Sequence, residues 1–193
     1  DAGVYHFDPS ESALRCLRKG DYRRALVDAT GEEPAVANAP AILVYTDVFW
    51  RNAVKYQARE YRHAFWDSGT IIANTLAIST ACGLPAKVVI GFIDDHVNQL
   101  LSVDDQREVA IALIALGYAP VTAPGHPAEI GPLGIKATLD SDHEVDFPAI
   151  REMHQASSLA SRVEVVAWRE EREAVRTVPA SGSPTPIELQ VPD

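Results

Sequence analysis

A lysine and a tyrosine stand side by side at Lys55 and Tyr56, within the run Phe49-Trp50-Arg51-Asn52-Ala53-Val54-Lys55-Tyr56-Gln57-Ala58-Arg59-Glu60-Tyr61-Arg62. An amine and a phenol so placed can pass a proton to or from a bound substrate, provided that they reach the reacting atom. If residues 50–62 are helical, Arg51, Lys55, Arg59 and Arg62 share one stripe. Such a stripe has two readings. It is a solvated basic face offset by Glu60 and the acidic bulk, or it is a set of guanidinium groups that lower the lysine pKa until the neutral amine serves as a base. The same cations can receive an anionic cofactor or a peptide carboxylate. Tyr56 lies on the next face, with Glu60 and His63 one and two turns further on, and a tyrosine there also suits boundary packing.

The elements that must position this pair can be read from hydrophobic periodicity and turn residues. Gly3 to Phe7 alternates as a short strand ended by Asp8-Pro9. Ser10 is placed to cap a helix over Ser12 to Arg18, and Asp21 a second helix through Ala29, which Gly31 ends. Ala41 to Phe49 is a β-branched and aromatic run that reads as a buried strand. From Trp50 to Ala81 the pattern is helical, with a break expected at Asp67-Ser68-Gly69. Lys87 to Phe92 reads as a strand, Asp94 to Leu101 as a helix led by Asp94-Asp95, and Glu108 to Leu116 as a strand ended by Gly117. Helices alternating with buried strands form a layered domain.

Three regions follow: residues 1–120 as the layered domain, 121–176 as an extended Pro- and Gly-rich segment followed by one helix from His154 to Arg176, and 177–193 as a Pro- and Ser-rich linker or tail. The 193 residues are 47% hydrophobic and 23% charged, the balance of a globular chain able to bury a core. A net charge of -10 argues against a sequence-independent nucleic-acid binder. The longest apolar stretch, Ile71 to Ala81, falls short of the ~20 residues of a membrane span. Cys16 and Cys82 have no metal or redox spacing and read as buried thiols of a reducing compartment, hence a cytoplasmic protein. The six histidines form no HxxxH or HExxH cluster, and the sequence carries no GxSxG, GxGxxG or P-loop, so neither a catalytic metal nor a serine hydrolase is expected.

Gly3-Val4-Tyr5-His6-Phe7-Asp8-Pro9, Leu17-Arg18-Lys19-Gly20-Asp21, Val48-Phe49-Trp50-Arg51, and Lys55-Tyr56 through Arg59 and Tyr61-Arg62 come in a recognisable order. Asp67-Ser68-Gly69, Asn74, Gly83-Leu84 and Gly91-Phe92-Ile93-Asp94-Asp95 continue it. The order resembles that of SagB-type dehydrogenases, the azoline-oxidase-like branch of the FMN-dependent nitroreductase superfamily, over about residues 1–120. The resemblance implies an α+β fold with a mixed or antiparallel central sheet flanked by helices, of which this chain resembles the C-terminal part plus a linker. It also implies two chains around each flavin.

By the same resemblance Lys55 and Tyr56 match the catalytic pair, which handles the proton lost when an azoline ring of a modified peptide is oxidised. Ile90 and Gly91 match the strand-end turn whose backbone approaches the flavin, where a missing side chain suits close approach. Arg51 and Arg59 are the candidates for contacts with FMN. The chain departs from the pattern at Glu60, where the family usually has Gly or Ala, and at Thr70, where it has His. The family's arginine- and serine-rich segment, which holds the flavin phosphate, has no counterpart in these residues, so FMN binding is expected to need a second chain or an N-terminal half. Two alternatives stand beside this reading. One is a flavin-free scaffold or peptide-binding partner of a nitroreductase-like assembly, and the other an NAD(P)H-dependent nitroreductase acting on a small molecule.

Overall fold

The computed structural model describes residues 1–118, 123–125, 129–135 and 144–176, and the expected tail at 177–193 lies outside them. The chain opens with an antiparallel hairpin of β1 (Gly3–Asp8) and β2 (Ala13–Lys19). This corrects the helix expected over Ser12 to Arg18. The Asp8 carboxylate accepts hydrogen bonds from the backbone N–H and the hydroxyl of Ser10, and Ser12 takes a positive φ of 49°. That turn sends the chain back along β1, and a cross-strand ladder replaces the helical periodicity of Ala13, Leu14 and Leu17. Arg18 then fixes the hairpin to the body. It is buried, and its guanidinium donates to the carbonyls of Leu100 and Gly131 and to the Ser102 hydroxyl at 2.7–2.8 Å.

Helix α1 (Arg23–Ala29) starts where the Asp21 carboxylate accepts from the Arg23 N–H at 3.0 Å. The short α2 (Pro34–Ala37) follows, and then a second sheet in the order β3-β5-β4. Its strands are β3 (Ala41–Val48), β4 (Ala86–Val89) and β5 (Glu108–Leu116), all antiparallel. β5 is central and buried along almost its whole length, as its apolar sequence from Val109 to Ala115 requires. Leu26, Val27, Val36, Val89, Phe92 and Leu113 join Val97 and Leu100 of α5 (Asp94–Leu101) in the main core. The Asn98 side chain, also buried, accepts from the Ala110 N–H and ties α5 to β5.

Two helices leave β3 in succession: α3 (Phe49–Tyr56) and α4 (Glu60–Ala81), joined by a 3-10 turn at Gln57–Arg59. The break therefore falls at Gln57, with φ 53°, and the expected break at Asp67-Ser68-Gly69 does not occur. α4 runs through it because Thr70, Asn74, Thr75, Ser79 and Thr80 bond back to carbonyls three or four residues earlier, so their polar groups are satisfied within the helix. α4 is apolar on most sides yet leaves Phe65, Trp66, Ile71 and Ile78 exposed. No described helix is long and apolar enough to cross a membrane.

The single helix expected from His154 to Arg176 is two, α6 (Pro148–Ser157) and α7 (Arg162–Arg176). Residues 158–161 separate them, with Ser158 extended and Leu159 bridged to Ile93. Cys16 and Cys82 are free but exposed, not buried. Cys16 lies in the solvent-facing hairpin opposite Tyr5, and Cys82 caps the end of α4.

Candidate active site

Lys55 and Tyr56 occupy the last turn of α3, just before the break. Lys55 is exposed and Tyr56 half-buried. The Lys55 Nζ lies 4.8 Å from the centroid of the Tyr56 ring, and the ring stacks on His63 at 3.7 Å between centroids. Hydrogen bonding to the Tyr56 phenol, with its charge, holds the Lys55 pKa above the ordinary lysine value. The lowering expected from a guanidinium stripe is thus reversed. The turn at Gln57 interrupts the helical register, so Arg59 and Arg62 do not continue the line of Arg51 and Lys55, and Arg51 instead acts on Asp47 of β3. Arg51 and Arg59 are both exposed.

The second candidate, the Ile90-Gly91 turn, follows β4. Ile90 is exposed and Gly91 is buried. A Cβ on Gly91 would stand 2.6 Å from Cε3 and 2.8 Å from Cζ3 of Trp168, so the side group that the glycine makes room for within this chain is the Trp168 indole of α7. α7 is seated by Arg169, which donates to the carbonyls of Thr30 and Gly31 and pairs with the buried Glu33 at 3.3 Å. Glu33 also accepts from Lys87 Nζ at 2.7 Å and from the Ala35 N–H.

Residues 157–159 connect the two candidate regions. The Ser157 hydroxyl is hydrogen-bonded to the Tyr61 hydroxyl at the start of α4. Two residues on, the Leu159 N–H donates to Asp94 Oδ2 at 2.9 Å and the Asp94 N–H donates to the Leu159 carbonyl at 3.2 Å. Burial raises the Asp94 carboxyl to about 6 and lowers the pKa of His154, whose ring packs on Phe49 and Tyr61. The motif runs already set Tyr61 close to Lys55-Tyr56 and Asp94 close to Gly91, whereas no motif announced His154 or Trp168 as their neighbours. The contacts that join these groups span about 65 to 96 residues of sequence.

Under the break lies the buried Glu60, within electrostatic reach of the half-buried Asp47 of β3. Glu60 is 0% exposed, and neither of its carboxylate oxygens has a hydrogen-bond partner, nor has Asp47 Oδ2. Among the described residues no group of three or more His, Cys, Asp or Glu side chains is placed to hold a metal ion. A cleft of about 200 Å³ opens between α3 and α6, walled by Phe49, Trp50, Ala53, Phe147, Ile150 and Arg107. Lys55 and Tyr56 are not in its walls, and its volume is below the ~300–1,000 Å³ usual for cofactor sites. The candidate residues of this chain therefore form an open surface and do not fit FMN by themselves.

The profile of the nitroreductase family matches residues 8–118. The chain belongs to the nitroreductase family. It is similar to the microcin B17-processing protein McbC of Escherichia coli, 29% identical over 115 residues that make up 58% of this chain and 41% of that protein. A nitroreductase-assigned protein of Methanocaldococcus jannaschii is 22% identical over 117 residues, 61% of this chain and 58% of its own. Among solved structures, a nitroreductase-assigned protein of Anabaena variabilis superposes with a TM-score of 0.65 at 22% identity, covering 82% of this chain and 33% of that one. A chain of the E. coli microcin synthetase McbBCD complex with truncated pro-MccB17 bound superposes with a TM-score of 0.54 at 24% identity, covering 61% and 45%. These superpositions show the shared α+β fold, and the chain spans about half the length of the relatives it matches in sequence.

Proposed function

We propose that this chain is part of an FMN-dependent oxidoreductase of the SagB-type branch, which oxidises an azoline ring or similar group in a modified peptide, with Lys55 and Tyr56 moving the proton. The observation that carries this reading is the Lys55 ammonium held against the Tyr56 ring on the accessible end of α3, at positions that the family resemblance marks as a catalytic pair. Similarity to McbC supports the superfamily, and the branch rests on the motif resemblance. With its pKa raised, Lys55 stays an ammonium at neutral pH. As an ammonium it is not the base; a Tyr56 phenolate, formed by loss of its proton to solvent, takes the proton from the substrate and becomes the phenol, with the Lys55 cation offsetting the phenolate charge before the transfer. Bound FMN supplies the acceptor for the electron pair.

The open surface around the pair is the reason to place the remaining wall on another polypeptide. A second copy of the chain, or an N-terminal half, supplies the phosphate-binding groups, and the active form is a dimer working in the cytoplasm. Arg51 of α3 and Arg59 of the turn after it, both exposed, are assigned to the anionic parts of the cofactor, and the Ile90-Gly91 backbone to the ring edge. The test is Lys55→Ala in protein carrying its natural flanking sequence and partner. Turnover of the heterocycle-containing peptide should fall by roughly 10²–10⁴-fold while the flavin absorbance stays with the protein. Turnover at the wild-type rate removes Lys55 from the mechanism.

One observation favours a second reading, a flavin-free scaffold that binds peptide. Gly91, which the first reading needs close to the flavin, is covered on its Cα side by Trp168. An assembly that stays colourless when reconstituted with FMN, and still captures the peptide, selects this reading.

A further inference from the structure

A tyrosine at the end of a helix can swing its ring about two side-chain torsions, whereas proton transfer needs the phenol oxygen in one place. Tyr56 is the last residue of α3, and the chain turns sharply after it. The ring that meets it is His63, in the first turn of α4, whose imidazole lies 3.7 Å away between centroids and 18° from parallel. Most aromatic pairs pack with centroids about 4.5–7 Å apart, so this is a close, flat stack. In an unbroken helix residues seven apart stand about 10.5 Å apart along the axis, too far for their rings to lie on each other. The Gln57 turn removes that separation. Its φ of 53° with ψ of -139° is a backbone state that glycine adopts readily and glutamine only with strain, and strain of this kind gathers at functional sites.

We propose that His63 is a positioning residue for Tyr56: its ring, brought across the α3–α4 break by the Gln57 turn, fixes the plane of the phenol so that the oxygen stays beside the Lys55 ammonium. The inference rests on the reading of Lys55 and Tyr56 as the proton-handling pair, and it adds the group that orients that pair. Both contacts fall on one ring, since the Lys55 Nζ lies 4.8 Å from the Tyr56 centroid. His63 is itself held in place. Trp66, one turn further along α4, meets the imidazole edge-on at 5.0 Å and 80°, and the Arg62 guanidinium lies over the indole at 5.8 Å. α4 in turn is fixed to the body of the domain by its buried residues Glu60, Ala64 and Ser68. The orientation of Tyr56 is thus set from α4, not from the helix end that carries it.

The contact is made by the flat face of the imidazole, so its nitrogens are not what it requires. Phenylalanine at position 63 keeps such a face, whereas alanine and leucine do not. Stacking of two rings favours the held orientation over the swung-out ones by roughly 2–10-fold beyond what burial of the rings contributes. The same factor applies to the fraction of molecules whose phenol oxygen is ready for transfer, and hence to kcat. Substrate binding does not pass through this contact, and KM is left unchanged.

Two measurements test the proposal, the first without turnover. In the full chain carrying carbon-13-labelled tyrosine, the ring signals of Tyr56 are assigned by their loss in Tyr56→Phe. A ring stacked on the phenol shields its nuclei, so these signals should move toward those of an unstacked tyrosine in His63→Ala, stay displaced in His63→Phe, and stay displaced in Lys55→Ala. In protein carrying its natural flanking sequence and partner, kcat for the heterocycle-containing peptide should fall by roughly 2–10-fold in His63→Ala with KM unchanged, and recover in His63→Phe. Urea midpoints establish that each variant is folded, and should His63→Ala not fold, His63→Leu gives the same comparison. Tyr56 signals that do not move in His63→Ala overturn the proposal. So does a His63→Phe variant as impaired in kcat as His63→Ala, which assigns the effect to the imidazole nitrogens. Failure of the catalytic reading looks different: Lys55→Ala then turns over at the wild-type rate while His63 still shields Tyr56.

Discussion

Gly91 offers the most direct test of how the C-terminal helix is integrated into the domain. Gly91→Ala adds one methyl group, which at its ideal position meets Trp168 ring carbons at 2.6 and 2.8 Å. Carbon atoms pack favourably at about 3.5–4.0 Å, so the indole or the turn must move by nearly 1 Å. Overpacking of that size costs about 1–3 kcal/mol. Gly91 does not adopt a positive φ, so alanine also restricts the unfolded chain and returns about 0.4–1 kcal/mol. The expected net destabilisation is about 0.5–2 kcal/mol. In a Trp168→Ala background the obstacle is gone and only the gain from the unfolded chain remains, so the same substitution should become neutral or slightly stabilising. A double-mutant cycle on urea midpoints, read by circular dichroism, measures the change. If Gly91→Ala is equally damaging in both backgrounds, Trp168 is not what the glycine accommodates, and the requirement must come from another group approaching the turn.

Three further results are expected. Arg18→Ala should cost about 1–3 kcal/mol, because it leaves the buried Leu100 carbonyl, and the less buried Gly131 carbonyl and Ser102 hydroxyl, without their donor, and Arg18→Lys should recover little of it, since an ammonium cannot reproduce the three-way fork; thermal unfolding checks both. Arg169→Ala should speed amide exchange in α7 more than in β5, because it removes the contacts to Thr30, Gly31 and Glu33 that seat the helix. The pKa of Glu33 is lowered, chiefly by the hydrogen bond from Lys87 against the opposing effect of burial, so its contribution to stability is present above the ordinary carboxylate range and lost as pH falls; Glu33→Gln should flatten the acid limb of a stability-versus-pH curve.

The parts of the fold that could be read from sequence were those in which local pattern and tertiary demand agree. Asp94 to Leu101 and Glu108 to Leu116 were bounded correctly, because an acidic helix start and an uninterrupted apolar strand each have one compatible environment. β2 was not legible, since Ala13, Leu14 and Leu17 fit a helix until the Asp8-Ser10 turn folds them against β1. The break at Gln57 was also hidden. Glutamine has no marked preference for positive φ, whereas Asp67-Ser68-Gly69 has all the marks of a helix start and is overridden by the hydrogen bonds that α4 makes along its length. At the candidate site, Lys55 and Tyr56 were singled out from their neighbours in sequence, but the direction of the lysine pKa is set by how its side chain meets Tyr56, which sequence does not show. The burial of Glu60 was likewise invisible, although its departure from the family pattern pointed to the position.

The order of strands across the second sheet also bears on how the protein is made. Among the described residues β3 at Ala41–Val48 and β4 at Ala86–Val89 each pair with β5 alone, whose residues Glu108–Leu116 come last of the three. At about 5–20 residues per second, some 60–75 residues of synthesis separate β3 from its partner, an interval of roughly 3–15 s. During that time β3 has left the ribosome ahead of the strand it pairs with, so this sheet closes only once Leu116 has been made, and its long-range pairing predicts slow folding.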